Sequence, residues 1–117
     1  MSQKRNMNQL SDLPVHQMMP GGEVRFVHAD SMTLAYWTFE EGAVLKEHSH
    51  PHEQVVNLLE GELEFTLGGE IHILVPGSTV VCPPGVSHSG KALKPTRVLD
   101  AFCPVREDFL ALDREDK

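Results

Sequence analysis

From Val24 onward the chain breaks into short runs of alternating apolar and polar residues separated by Gly and Pro, and this period of two limits what it can fold into. The runs cover residues 24–27, 32–39, 54–59, 62–67, 70–75, 79–82 and 97–102. Glu62, Glu64 and Thr66 alternate with Leu63, Phe65 and Leu67, which predicts one wet face and one core face. Gly68-Gly69 then predicts a hairpin into 70–75. Short strands at this spacing predict an all-β sandwich or barrel. Only the tail, about 106–114, has helical spacing: Phe109, Leu110 and Leu112 among acids predict a short C-terminal helical turn against the barrel. Residues 1–12, rich in Ser, Gln, Asn and Met without periodicity, read as a mobile or swapped N-terminal arm, followed by a single domain over 13–117. A chain of 117 residues suffices for one core and not for two.

Charge narrows the partners. The formal net charge is −7, and eight Glu stand against one Lys between Glu40 and Glu70, so the surface potential opposes polyanions and excludes nucleic acid. No apolar stretch approaches membrane-spanning length, and Lys4 and Arg5 are not followed by the apolar segment of a secretory leader. The expected setting is the reducing cytoplasm, with Cys82 and Cys103 as small buried apolar residues rather than a disulfide.

Within the β pattern, His48, His50 and His88 stand at spacings that suit a metal. Alternate side chains of an extended segment share a face, so His48 and His50 point the same way and converge on one ion inside a barrel. Gln54 has the same parity and Glu53 does not, which selects the amide as fourth ligand. His88 follows Pro83-Pro84-Gly85, a rigid turn that aims it across the barrel. Imidazole and amide donors with open positions admit one divalent transition metal, Ni, Zn, Mn, Fe or Co. A neutral ligand set leaves the divalent charge uncompensated, so the open positions favour an anion, and a carboxylate substrate above a neutral one. His52 shares the ligands' parity and is a candidate substrate contact. His72 reads as a solvated residue on the polar face of its strand, and nothing singles out His16 or His28.

In the run Val98-Leu99-Asp100-Ala101-Phe102, Asp100 shares a face with Val98 and Phe102 and breaks the strand's apolar pattern. A buried carboxylate needs a partner or a raised pKa, both habits of functional sites. Arg106, just past Pro104, offers a planar fork suited to a substrate carboxylate.

The order Gly42, five residues, His48-Ser49-His50, three residues, Gln54, six residues, Gly61, followed by Gly77, five residues, Pro83-Pro84-Gly85, two residues, His88, resembles the two motifs of the cupin superfamily. The likeness covers residues 42–88 and departs from the common pattern at Gln54, where most cupins carry Glu, and at Ala92, where the second motif often ends in Asn. It implies a jelly-roll barrel. His48-Ser49-His50-Pro51-His52 with Gln54, taken with the segment from Asp100 to Phe109, further resembles the pectin-degradation cupins that linearise 4,5-unsaturated uronates. That resemblance implies a small dimeric barrel with a three-His, one-Gln metal site, Asp100 as acid/base, Arg106 holding the substrate and Phe102 shaping the pocket. The rival readings are an iron dioxygenase on the same three histidines and a non-catalytic cupin that binds a small sugar acid.

Overall fold

The computed structural model describes residues 6–115. Its elements in chain order are β1 (His16–Met19), β2 (Gly22–His28), β3 (Thr33–Phe39), β4 (Val44–His48), β5 (Glu53–Glu60), β6 (Leu63–Leu67), β7 (Glu70–Leu74), β8 (Thr79–Cys82), β9 (His88–Ala92), β10 (Thr96–Cys103) and α1 (Glu107–Glu115). All strand pairs are antiparallel. A larger sheet runs β1-β2-β3-β10-β5-β8 and a smaller one β4-β9-β6-β7, the two halves of a jelly roll. Val24, Phe26, Trp37, Leu58 and Val98 of the larger sheet meet Leu63, Phe65, Leu74 and Ala92 of the smaller in one core. Each Val, Leu and Phe among them contributes about 1.5–3 kcal/mol on burial. At the β5–β6 turn Gly61 has φ +94°, and a Cβ there would lie 2.3 Å from the Pro95 carbonyl, so no other residue fits.

The runs with β-branched or aromatic alternation form the expected strands. β1, β4 and β9 carry no such signal, since HQMM, VLKEH and HSGKA are polar or mixed, and they become strands through the neighbours they pair with. Two placements differ from expectation. On β7, at the sheet's edge, Ile71 and Ile73 point outward at 62% and 51% exposure, while His72 is half-buried opposite Phe65. Cys82 is buried but Cys103 is exposed, because β10 alternates strictly and Phe102 takes the inward position. Of the expected arm, residues 1–5 lie outside the described residues, and Leu10–Asp12 form one 3-10 turn whose Leu10 carbonyl accepts from Arg25 Nη1 at 3.4 Å. No helix among the described residues is long and apolar enough to cross a membrane.

The expected helical turn is α1, nine residues long, with Glu107 and Asp108 in its first turn and Arg114 in its last, the order its dipole favours. Phe109 stacks on Phe26 at 4.5 Å. A polar clasp reinforces this contact: Asp113 lies 2.7 Å from His16 Nε2 and 3.2 Å from His28 Nε2. His28 Nδ1 meets the Thr33 hydroxyl at 2.9 Å, and the same hydroxyl accepts the Arg106 backbone N–H at 3.0 Å. Burial lowers the His28 pKa below its ordinary 6.5, although Asp113 pulls it upward. The unfolded chain therefore binds this proton first, and the stabilisation by neutral His28 is lost as pH falls through 6.5. His28→Asn is expected to flatten the decline of melting temperature between pH 7 and pH 5. An unchanged decline would refute the assignment to this residue.

Candidate active site

Register brings the first ligands together. His48, the last residue of β4, pairs directly with His88, the first of β9, and their rings lie edge to face at 4.4 Å. His50 follows in the segment leading to β5, 5.0 Å from the His88 ring and 5.8 Å from that of His48. The Gly85 N–H donates to the His50 carbonyl at 2.8 Å, which ties the Pro-Pro-Gly turn to the His50 segment. Gly85 needs its φ of +79° to make that turn.

Each imidazole uses its Nδ1–H on a carbonyl two residues away: His48 on Lys46 at 2.8 Å, His50 on His52 at 3.1 Å and His88 on Val86 at 3.0 Å. A carbonyl only accepts, so the tautomer is fixed and every Nε2 carries a free lone pair. One ligand atom from each ring lies within 4.8 Å of the others, and the buried His88 Nε2 has no hydrogen-bond partner. Gln54, buried on β5, places Oε1 3.0 Å from His50 Nε2. Two lone-pair atoms at that distance need a shared cation or a protonated ring. Burial, and then Arg106, hold the His50 pKa below its ordinary value, and burial pushes His88 down to about 4. Neutral rings favour the cation. The donor set therefore fits a divalent metal, with His48, His50 and His88 as the histidine ligands. His50→Ala is expected to abolish most metal occupancy with the barrel still folded. Metal analysis showing unchanged stoichiometry would overturn this assignment.

Asp100 lies beside this group in the row Phe26–Ala35–Asp100–Val56 across the larger sheet. It is 7% exposed, and its Oδ1 has no hydrogen-bond partner. Burial raises its pKa to about 7, against the opposing pull of the Gln54 amide, the Trp37 indole and Arg106. With Gln54 Oε1 turned to His50, its NH₂ is the end available to Asp100. Buried Cys82, paired with Gln54 across β5 and β8, has its thiol pushed up to about 12 by burial and then by Asp100, and stays unreactive.

A cavity of about 300 Å³ joins these groups, lined by His48, Gln54, His88, Asp100, Phe102 and Arg106 among others. That volume is at the small end for ligand sites. Arg106 is only 8% exposed, its guanidinium 3.9 Å from the Phe109 ring and 4.6 Å from that of Phe102, and Asp108 grips it through two hydrogen bonds of 3.0 and 2.8 Å. His52 packs edge-on against His50 at 5.6 Å, and neither of these two rings is among the residues lining the cavity. Trp37, Lys46 and Asp108 do line it, and no local spacing announces them. Trp37 had one available signal, its inward parity on β3.

The Cupin domain family model matches residues 35–102 of this chain. Among solved structures, KdgF from Halomonas sp. is 28% identical with a TM-score of 0.85, the match covering 91% of this chain and 99% of that one. An RmlC-like cupin from Shewanella frigidimarina is 26% identical with a TM-score of 0.86, over 93% and 99% of the two chains. Oxalate decarboxylase from Bacillus subtilis, in a variant with one tryptophan replaced by tyrosine, shares the fold at a TM-score of 0.77 and 20% identity, over 89% of this chain and 31% of that one. A search of curated proteins finds no match. With three convergent imidazoles between the sheets of a jelly roll and a family match over more than half its length, the chain belongs to the cupin family.

Proposed function

We propose that this protein linearises 4,5-unsaturated uronate monosaccharides to 5-keto sugar acids. The observation that carries this reading is the shared cavity: a buried acid, Asp100, faces the same small space as the candidate ligands His48, Gln54 and His88 and the cation Arg106. The sequence resemblance to the pectin-degradation cupins supports it, as does the likeness to KdgF over nearly the whole of both chains.

The reaction is a redox-neutral isomerisation. The C1 hydroxyl loses its proton as C1=O forms and the C1–O5 bond breaks. The resulting enol becomes the C5 ketone as C4 gains a proton. His48, His50, Gln54 and His88 would hold the divalent metal, which when bound would supply Lewis acidity toward the substrate carboxylate. Arg106 holds the anionic end, and Phe102 forms the wall beside it. Asp100, which lines the cavity from β10 between β3 and β5, carries the proton between oxygen and C4, assistance worth on the order of 10² to 10⁴ in rate.

The test is the ultraviolet absorbance of the C4=C5–carboxylate chromophore, followed with metal-loaded protein and monomers from pectin lyase and alginate lyase digests under nitrogen. Loss of absorbance without oxygen is expected. A requirement for oxygen and ferrous ion would replace this reading with a dioxygenase, and ligand-induced stabilisation without turnover would replace it with a binding protein.

We also place the protein in the reducing cytoplasm, where exposed Cys103 stays free, and expect a homodimer. We expect the arm before Leu13 to add a strand to a neighbour, and the edge strand β7, with its outward Ile71 and Ile73, offers an edge for a second copy to cover. Sedimentation giving a mass near the single-chain 13.0 kDa at micromolar concentration would count against the dimer.

A further inference from the structure

We propose that Asp108 is the positioning residue for Arg106, fixing which edge of the guanidinium a substrate carboxylate meets. The inference rests on the uronate reading for its ligand, and on geometry for the rest.

The Phe102 and Phe109 rings stand at 79° to one another, and the Arg106 guanidinium lies in the corner between them. Two perpendicular walls confine where the group sits but leave it free to turn within its own plane. Asp108 removes that freedom. Its Oδ1 accepts Nε–H at 3.0 Å and its Oδ2 accepts one Nη2–H at 2.8 Å. The bond at the backbone N–H of Arg106, to Thr33 Oγ1, fixes the base of the side chain and not its tip. What remains of the five N–H groups is the Nη1–Nη2 end, and among the described residues no hydrogen bond engages Nη1. Arg106 lines the cavity, so this free end is the fork a carboxylate finds there.

Two effects of Asp108 oppose one another, and their balance gives the test its sign. As a charge, Asp108 offsets Arg106 and repels an anion, so its loss would tighten binding. As an orienter, its loss would let the fork turn away and weaken binding. The Asp108 side chain is 61% exposed, so water and salt screen its charge, whereas the buried guanidinium keeps the full benefit of alignment. Orientation wins. The Arg106 guanidinium also holds the Asp108 carboxyl below its usual pKa, so the grip persists across neutral pH.

The experiment compares metal-loaded wild type, Asp108→Ala, Asp108→Asn and Glu107→Gln, the last removing the charge of a neighbouring helix-start residue whose side chain makes no hydrogen bond or ion pair with Arg106 among the described residues. Binding of D-galacturonate is measured by calorimetry and turnover by the chromophore assay. Asp108→Ala is expected to weaken galacturonate binding and raise KM by about tenfold, with kcat nearly unchanged, Asp108→Asn less, and Glu107→Gln not at all. A substrate-free readout accompanies these: the slowly exchanging Arg106 Nε–H NMR signal, expected in wild type and Asp108→Asn and lost in Asp108→Ala. Tighter or unchanged binding in Asp108→Ala, or retention of its Nε–H signal, would overturn the proposal. A wild type that neither binds nor turns over uronates would sink the uronate reading instead, and the Nε–H signal would still decide whether Asp108 fixes the fork.

Discussion

Asp100→Asn is expected to keep the fold, the metal and substrate affinity while losing on the order of 10² to 10⁴ in kcat, because the amide is nearly isosteric but exchanges no proton. The structure argues against the competing role of Asp100 as a backbone-satisfied structural acceptor, since its buried Oδ1 accepts no hydrogen bond. A stability measurement separates the two roles. Burial raises the Asp100 pKa to about 7 from the ordinary 3.8, so metal-free folded protein holds a proton that the unfolded chain releases. This group's contribution to stability is therefore full below about pH 4, declines as pH rises through 7, and levels off above it, where the carboxyl is ionised in both states. Asn has no such decline. Metal-free Asp100→Asn should melt no lower than wild type at pH 8, and a large loss of stability there, with rate per folded molecule intact, would make Asp100 a structural residue.

The second large effect is expected from Gln54→Glu, which should leave metal content intact and raise KM for the anionic substrate by about tenfold. One reason is charge, since a carboxylate ligand cancels one unit of the cation's charge that an amide leaves available. The other is the neighbour. The Gln54 amide turns its Oε1 toward His50 and its NH₂, a donor, toward Asp100, whereas a carboxylate has no donor. Two buried carboxyls then share a proton, and their titration becomes that of a pair. The pH–rate profile should shift together with KM. Unaltered KM would show that the charge at position 54 does not govern substrate binding.

What was legible in the sequence follows from how locally each feature is encoded. His48, His50 and Gln54 lie within seven residues of one another on near-extended chain, so parity alone aligns them. Parity says less at His52, where Pro51 and the bend before β5 interrupt the alternation and the ring packs edge-on against His50. Asp100 is visible because it disrupts an apolar face, and its position in the Phe26–Ala35–Val56 row confirms that this face is buried. His72 misleads for the converse reason: on edge strand β7 the isoleucines are the exposed set, so hydrophobicity points the wrong way. Nothing local marks His16, His28 or Asp113, whose association depends on a contact across 97 residues of chain.

That span has a consequence for the order in which the protein becomes functional. The candidate ligands His48, His50, Gln54 and His88 all precede β10, but the wall formed by Arg106 and Phe109 is held through α1, and α1 is fastened by Asp113 to His16 of β1 and His28 of β2. Joining such distant parts comes late when a chain emerges sequentially, because the loop must close before the contact is made. A nascent chain that has exposed every candidate metal ligand still lacks Arg106 and Phe109. A C-terminal truncation before Asp113 is therefore expected to lose more of its turnover than of its metal uptake.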